Sequence, residues 1–316
     1  MTCYHTPIGL RDLLSYTTRM GVVKATGHSL PPGTFPTTWQ GDFTFIQAAD
    51  CQFGMEWSVQ YFGDDDTLHK LYADNCVWDY EEKWSTAFVK QINSMPEKPL
   101  FAVMCGDMLD AWPDRYPQVR ERQKVSFDRI MAHLNIPLVC VCGNHDVGNS
   151  PTPQTIGNYR SDFGDDWFSF VCGDVLFLVL NSQYYEDNTH VTEMSRDQDT
   201  WLTEQLASTS AYKHTVVFQH IPWFLSTPHE EKEYFNISQP LREGMLSKFH
   251  GSGVSKIFTG HYHKNAGGWY KDEMEVVVTS AVGSQLGTDK NGFRVVNVKE
   301  NEITHKYVDI KLDDAS

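Results

Sequence analysis

The chain has 316 residues, of which 41% are hydrophobic and 13% aromatic, so it can bury a sizeable core and is not a disordered protein. Its formal net charge of −15 argues against nucleic acid or an anionic membrane as the main partner, because both bind basic surfaces. The longest apolar run, residues 175–180, is far too short to span a bilayer. The first residues lack the basic start and apolar core of a secretory signal, so we expect a cytoplasmic protein, and we take it to be a monomer.

The cysteine content supports the same compartment. Seven cysteines are present, an odd number, and four of them lie in or beside apolar runs: Cys105, Cys140, Cys142 and Cys172. A buried free cysteine commonly packs as a small hydrophobic residue. This placement favours free thiols in a reducing compartment over a framework of disulfides.

The chain is predicted to hold one domain preceded by an arm. Residues 1–40 are mixed in composition and rich in proline near their end, which indicates an N-terminal arm packed on the domain. No internal repeat and no linker rich in Pro, Gly or Ser divides the rest, so residues 41–316 are predicted to form a single domain. Within it, residues 60–82 are acidic and aromatic. They indicate a solvated loop, with a lid or specificity insert as the alternative.

The first half of the domain alternates strand-like and helical patterns. The predicted elements are a strand at 43–49, a helix at 81–95, a strand at 100–105, a helix at 117–135 and a strand at 136–142. This β-α-β-α-β order implies a parallel sheet with helices packed on it. The charged residues 120–122 lie in the second helix and are expected to face solvent.

The second half contains more strands. Residues 149–155 resemble a loop, and Gly173-Asp174 is predicted to turn a hairpin between strands at 167–172 and 175–181. The later elements are helices at 195–209 and 238–250 and strands at 214–219, 254–259, 275–280, 293–298 and 302–310.

Polar side chains capable of binding metal follow five of these strands directly. In chain order they are Asp50, then Asp107 with Asp110, then Asn144, His145 and Asp146, then His220, then His261 with His263. Because ligand sites in open α/β sheets lie beyond the carboxyl ends of the strands, we expect these side chains to converge. A single member, such as His220, could be an ordinary hydrogen-bonded loop histidine. The complete set indicates a site.

The types of side chain suggest two divalent cations. One Asp can bridge two ions, and neutral imidazoles complete such sites. Two metals generate hydroxide near neutral pH and clamp the attacking and leaving oxygens of a displacement. Two dications held by two aspartates retain a surplus of positive charge, which would attract a phosphate group despite the acidic chain. A histidine that binds no metal could protonate the leaving oxygen.

Five motifs in this order resemble those of the calcineurin-like metallophosphoesterase family. The family patterns are D-x-H, G-D-x-x-D, G-N-H-[DE], a lone His after a strand, and G-H-x-H. They correspond to residues 50–52, 106–110, 143–146, His220 and 260–263, and the resemblance extends over residues 43–310. It implies an α/β (α+β, four-layer) fold, in which a β-sandwich of two mixed sheets is flanked by helices.

The resemblance also implies a role for each residue. Asp50, Asp107 and His263 would hold the first metal, with Asp107 bridging, and Asn144, His220 and His261 would complete the second. His145 would be the general acid, oriented by Asp110. Asp146 would not bind a metal, and it would help to position the residues that do.

Gln52 departs from the family pattern, because most members have a metal-binding His at this position. An amide oxygen is a harder and usually weaker ligand than imidazole, which favours Mn²⁺ or Mg²⁺, with iron, zinc and calcium as alternatives. We therefore predict a loosely held first metal and activity that depends on added Mn²⁺ or Mg²⁺.

The resemblance implies a metal-dependent phosphatase that hydrolyses phosphate monoesters, with phosphoserine and phosphothreonine on proteins as the substrates. A phosphodiesterase acting on nucleotides is the first alternative, because the same two-metal centre serves both bond types. A non-catalytic scaffold that binds a partner is the second alternative. Loss of several ligands would favour it, whereas only Gln52 departs from the pattern.

Overall fold

In the computed structural model, which describes residues 21–312, two β-sheets pack face to face and helices cover both outer faces. The prediction of a sandwich of two mixed sheets flanked by helices is therefore confirmed. Residues 1–20, which include half of the predicted arm, and residues 313–316 lie outside the described part.

The strands are β1 (Phe43–Ala48), β2 (Ala102–Cys105), β3 (Leu138–Val141), β4 (Phe168–Cys172), β5 (Val175–Val179), β6 (His214–Phe218), β7 (Val254–Thr259), β8 (Ala266–Tyr270), β9 (Met274–Val278), β10 (Gly292–Val298) and β11 (Ile303–Asp309). The helices are α1 (Met55–Ser58), α2 (Asp65–Asn75), α3 (Asp79–Asn93), α4 (Pro117–Met131), α5 (Asn144–Val147), α6 (Pro153–Phe163), α7 (Gln183–Glu186), α8 (Thr192–Leu206) and α9 (Gln239–Gly251). No helix within residues 21–312 is long and apolar enough to cross a membrane.

The first sheet has the strand order β11-β10-β1-β2-β3 and the second has the order β4-β5-β6-β7-β9-β8. In the first sheet β1, β2 and β3 are parallel, as the early β-α-β-α-β order predicts. In the second sheet β5, β6, β7 and β9 are parallel, and β4 joins β5 as the predicted antiparallel hairpin. Both groups of parallel strands end at the same edge of the sandwich, which is where the candidate site forms.

Phenylalanine rings fill the space between the sheets. Phe45 on β1 is fully buried and contacts Phe101, Phe177, Phe218 and Phe258, with ring centroids 5.0–6.0 Å apart. Apolar residues of α3, α4 and α6 cover the outer face of the first sheet, and those of α8 and α9 cover the second. The strand ends are therefore held by a stiff, close-packed interior.

The expectation of a solvated loop at 60–82 is wrong, because α2 forms there. Its N-cap is Asp64, whose side chain accepts a hydrogen bond from Thr67 N, and Asp65 and Asp66 lie in its first turn. Carboxylates at these positions stabilise a helix through its dipole. The acidic composition therefore marks the start of a helix.

Two further elements of five or more residues were missed. The loop-like stretch at 149–155 leads directly into α6, which begins with a reciprocal capping box between Thr152 and Thr155 and with Pro153 in its first turn. Strand β8 has the sequence AGGWY, whose two glycines give a weak strand signal, and it forms only as the edge partner of β9.

Residues 21–40 run along the edges of both sheets. Val23 N donates a hydrogen bond to Leu138 O on edge strand β3, and Ser169 N on edge strand β4 donates to His28 O. These contacts cover parts of two strand edges that would otherwise present unpaired backbone groups.

Truncation of the central ring tests the inter-sheet core. We expect Phe45→Ala to lower the free energy of unfolding by about 3–5 kcal/mol, because it removes contacts with four other rings and leaves a cavity. Urea unfolding followed by circular dichroism measures this loss. Phe62→Ala is the matched control, since that side chain is 68% exposed. Equal losses for the two variants would contradict the assignment of the core.

Candidate metal centre

The loops that follow β1, β2, β3, β6 and β7 meet at one edge of the sandwich. Backbone hydrogen bonds join them: Asp50 N donates to Gly106 O at 3.1 Å, and Gly260 N donates to His220 O at 3.0 Å. The structure brings together, and buries, all seven residues that the sequence predicts as metal ligands: Asp50, Gln52, Asp107, Asn144, His220, His261 and His263. Their roles as ligands stay predictions.

Short contacts between side chains show how tightly the cluster is packed. His220 Nε2 lies 3.2 Å from Asp107 Oδ2 and 3.1 Å from Asn144 Oδ1. His263 Nε2 lies 3.3 Å from Asp50 Oδ1. One ligand atom from each of Asp107, His220 and His261 lies within 4.8 Å of the others. Such spacing is suited to a shared cation.

Five of the seven residues have a left-handed backbone. Their φ angles lie between 30° and 69°: Asp50, Gln52, Asp107, His261 and His263. A non-glycine residue in this region costs on the order of 1 kcal/mol or more, and such residues concentrate at functional sites. The surrounding fold therefore holds these side chains in place against a local backbone preference.

Glycine is required at two of the turns because side chains approach the backbone closely. A Cβ atom at Gly143 would lie 2.1 Å from Asp107 Oδ1. A Cβ atom at Gly106, whose φ is +92°, would lie 2.2 Å from the Nδ1 atom of His220. These glycines let the loop after each strand pass directly beside a candidate ligand.

Each of the three histidine candidates uses one ring nitrogen to donate to a backbone carbonyl. His220 Nδ1 lies 2.8 Å from Cys105 O, His263 Nδ1 lies 2.6 Å from Ser284 O, and His261 Nε2 lies 3.3 Å from Tyr234 O. Because a carbonyl only accepts, these nitrogens carry the proton. The other nitrogen of each ring would offer a lone pair whenever the ring is neutral, as in histidines that bind metal.

The electrostatics of the cluster also suit a cation. Burial would raise the pKa of Asp107, but His220 and His145 hold it below its ordinary value. Burial disfavours charge on His220, yet the adjacent Asp107 outweighs it and raises the pKa of His220 to about 9. Burial, and then His220, hold the pKa of His261 well below its ordinary value. The pair of Asp107 and His220 therefore favours a proton on His220, and a cation would replace that proton, because metal binds an ionised carboxylate and a neutral imidazole.

His145 lies at the rim of the cluster and is held from two sides. Its Nδ1 lies 2.7 Å from the backbone oxygen of Asp110, whereas the Asp110 carboxylate is 3.6 Å away. Trp112 stacks on the imidazole with ring centroids 4.1 Å apart. Asp110 thus contacts His145 through its main chain, and the Nε2 atom of His145 makes no hydrogen bond within residues 21–312.

Asp146 joins the loops after β2 and β3. Its carboxylate accepts hydrogen bonds from Gly143 N at 2.9 Å and from Met108 N at 3.3 Å. The guanidinium of Arg120 donates to the backbone oxygens of His145 and Asp146. The expectation that residue 120 faces solvent is therefore wrong: Arg120 is buried because carbonyls from a distant part of the chain bind it.

The donor set fits two divalent cations. Asp50, Gln52, Asp107 and His263 could hold one, and Asp107, Asn144, His220 and His261 could hold the other. The buried Oε1 atom of Gln52 has no hydrogen-bond partner within the described part of the chain, as expected of an atom reserved for a ligand. Oxygen and imidazole donors of this kind suit Mn²⁺, Mg²⁺ and Zn²⁺.

A cavity of about 880 Å³ opens in front of these residues. Its walls come from α2 with the segment before it and from the loop that follows β6. Phe62 and Leu68 lie on one side, and Tyr234 and Phe235 lie on the other. The cavity is therefore larger than a phosphate group requires and has apolar walls.

A comparison with known protein families shows to which family this chain belongs. The calcineurin-like phosphoesterase family model matches residues 43–265, more than half of the chain. The chain belongs to the calcineurin-like phosphoesterase family. The resemblance noted from its motifs is confirmed.

Similar phosphoesterases carry a more specific name. The Bos taurus serine/threonine-protein phosphatase CPPED1 is 44% identical over 284 residues, which cover 88% of this chain and 86% of that protein. The Homo sapiens protein of the same name is 41% identical over 302 residues, or 93% and 92% of the two chains. A solved Danio rerio structure described as a dimetal phosphatase has a TM-score of 0.61 at 14% identity, covering 86% and 99%. It supports the fold.

The sequence did not identify the residues of this phosphoesterase that position the predicted ligands without being ligands themselves. Glu81 on α3 is one of them. Its Oε1 accepts hydrogen bonds from Glu56 N at 2.7 Å and Ser284 Oγ at 3.2 Å, and Ser284 O binds His263. No signal identified Glu81, because one acidic residue among several in a first turn is unremarkable. Burial raises the pKa of Glu81 to about 7.

The buried Glu81 carboxyl makes stability depend on pH. Because its pKa is raised above the ordinary 4.5 on folding, the folded protein binds this proton more tightly, and stability falls as pH rises from 4.5 to about 7. Glu81→Gln removes the titration. We expect its unfolding free energy, relative to wild type, to improve by about 2–3 kcal/mol between about pH 5 and about pH 8. Urea unfolding at both pH values measures it, and a constant difference would contradict the expectation.

Proposed function

We propose that this phosphoesterase is a metal-dependent serine/threonine-protein phosphatase that hydrolyses phosphate monoesters. One observation carries the proposal: three histidines, each fixed by a backbone carbonyl, converge with buried aspartates beside an additional histidine at the mouth of a cavity. Clustered hydrolytic groups of this kind, in a member of this family, support phosphoester cleavage.

Each residue is assigned one task. Asp50, Gln52, Asp107 and His263 would hold the first cation, and Asp107, Asn144, His220 and His261 would hold the second. Two divalent cations, when bound, would supply Lewis-acid activation of water and positive charge for the phosphoryl oxygens. His145 donates a proton from Nε2 to the leaving oxygen, since its Nδ1 is engaged by the Asp110 carbonyl.

Two arguments favour a protein substrate. The relatives that align over most of their length are named serine/threonine-protein phosphatases. In addition, the apolar walls around Phe62 and Phe235 extend beyond the space needed for phosphate, which would let them contact the peptide on both sides of a phosphorylated residue.

We also propose that the protein is cytoplasmic and monomeric. All six cysteines in the described part of the chain are buried free thiols, which suits a reducing compartment. Fractionation of cells and size-exclusion chromatography with light scattering test these two points.

A substrate panel tests the proposed reaction. With Mn²⁺ present, we expect faster turnover of p-nitrophenyl phosphate than of bis-(p-nitrophenyl) phosphate, and faster turnover of phosphoserine or phosphothreonine peptides than of nucleotides. Preference for the bis ester and for nucleotides would replace the phosphatase by the phosphodiesterase.

Two variants test the catalytic assignment itself. We expect Asp107→Asn and His145→Ala to reduce kcat by at least about 100-fold, since each removes a charge-stabilising or proton-transferring group. Asp197→Asn on the exposed face of α8 is the control. Unchanged activity in the first two variants would contradict the assignment of Asp107 and His145, whereas loss of turnover in both would exclude the non-catalytic scaffold.

The amide at position 52 predicts a weakly held first metal. Protein purified without added metal should contain less than one ion at this site, and Mn²⁺ or Mg²⁺ should restore activity. We expect Gln52→His to retain more zinc or iron, because imidazole binds these ions better than an amide oxygen does. Elemental analysis by mass spectrometry measures both proteins. Two tightly retained ions in the wild type, including iron or zinc, would contradict this prediction.

A further inference from the structure

Helix α2 contributes one buried side chain, Tyr72, and its hydroxyl points at the candidate centre. The hydroxyl donates to Asp110 Oδ2 at 2.5 Å, and Gln123 Nε2 lies 3.4 Å from the same hydroxyl. Gln123 Oε1 in turn accepts from Ala111 N at 2.9 Å, which fixes the amide so that its NH₂ faces Tyr72. Tyr72 therefore accepts from Gln123 and donates to Asp110.

The other carboxylate oxygen of Asp110 controls Gln52. Gln52 Nε2 donates to Asp110 Oδ1 at 2.9 Å. Because an ionised carboxylate only accepts, the NH₂ end of Gln52 must face Asp110, and the Oε1 end is turned away from it. That Oε1 atom is buried and has no hydrogen-bond partner among the described residues.

Asp110 therefore connects two parts of the site. Its carboxylate fixes which end of the Gln52 amide is free, while its backbone oxygen holds His145 Nδ1. Asp110 is itself buried, and within residues 21–312 its carboxylate accepts hydrogen bonds from Tyr72 and Gln52 alone. A rotation of this carboxylate would release the Gln52 amide, whereas the Asp110 backbone oxygen would still hold His145.

We propose that Tyr72 is a positioning residue of the metal centre, acting through the Asp110 carboxylate to hold the Gln52 amide oxygen toward the first cation. The proposal rests on the function proposed above. It makes α2 part of the active site, although none of its residues is a candidate ligand. Tyr72 is not a catalytic residue.

The ring of Tyr72 has a separate structural role. It stacks on Tyr116 with centroids 4.3 Å apart and meets Trp57 edge-on at 5.7 Å. Tyr72→Phe keeps this packing and removes only the hydroxyl, so it separates positioning from burial.

The test measures Mn²⁺ affinity of metal-free protein by calorimetry, together with kcat and KM for p-nitrophenyl phosphate. We expect Tyr72→Phe to weaken Mn²⁺ binding at the first site by about 10-fold and to lower kcat with little change in KM, as partners of metal ligands commonly do. The matched control is Tyr184→Phe. Tyr184 is a buried tyrosine that also donates to a buried aspartate, Asp166, at 2.8 Å, outside the centre.

A double variant tests whether Tyr72 acts through Asp110. If Tyr72 acts through Asp110, Tyr72→Phe should cause no further loss of Mn²⁺ affinity in an Asp110→Asn background. Equal Mn²⁺ affinity and kcat in wild type and Tyr72→Phe would overturn the proposal, as would an equal effect of Tyr184→Phe. A third outcome separates the two proposals: Tyr72→Phe weakens Mn²⁺ binding, but the wild type turns over no phosphoester. This outcome would support the positioning role of Tyr72 and would refute only the proposed function.

Discussion

The buried negative charge of Asp50 and Asp107 is the constraint on which the rest of the site depends. Both carboxylates are buried, and their ion-pair partners within residues 21–312 are histidines, with no lysine or arginine beside them. Backbone N–H groups of His145 and His261 also donate to them. Buried carboxylates need compensation by charge or by hydrogen bonds. Ligand atoms of Asp107, His220 and His261 lie within 4.8 Å of one another, so a cation held between them would supply this compensation.

The sandwich can hold such a cluster because its two groups of parallel strands end at one edge. The rings around Phe45 fix the distance between the sheets, and hydrogen bonds between loops, such as Asp50 N to Gly106 O, fix the turns. The left-handed backbone at Asp107 and at four other predicted ligands requires this support, because an isolated loop would relax to an ordinary conformation. Packing far from the site therefore maintains its geometry.

The sequence predicted the strands and their terminal polar residues well, since apolar runs that break at glycine have few other interpretations. It did not predict α2, because the segment is acidic and Tyr72 is the single residue that the helix buries. One buried residue gives no periodic apolar pattern from which a helix could be inferred. Nor did the sequence predict the burial of Arg120, which depends on carbonyls that approach only in the folded chain. The contact of His145 with the Asp110 main chain could not be predicted either, because every residue has a backbone carbonyl and the sequence does not show which one will accept a hydrogen bond.

Gln52 gains a physical explanation from its neighbours. An imidazole at this position would offer one nitrogen to a cation and an N–H to Asp110. The amide has the same two faces, with an acceptor at Oε1 and a donor at Nε2, and the donor is bound to Asp110. The replacement therefore preserves the hydrogen bond that orients the side chain and changes only the atom offered to the cation, from nitrogen to oxygen. A site that had lost its function would have no need of this match, and Tyr72, which fixes the same carboxylate, would have no reason to bury its hydroxyl there.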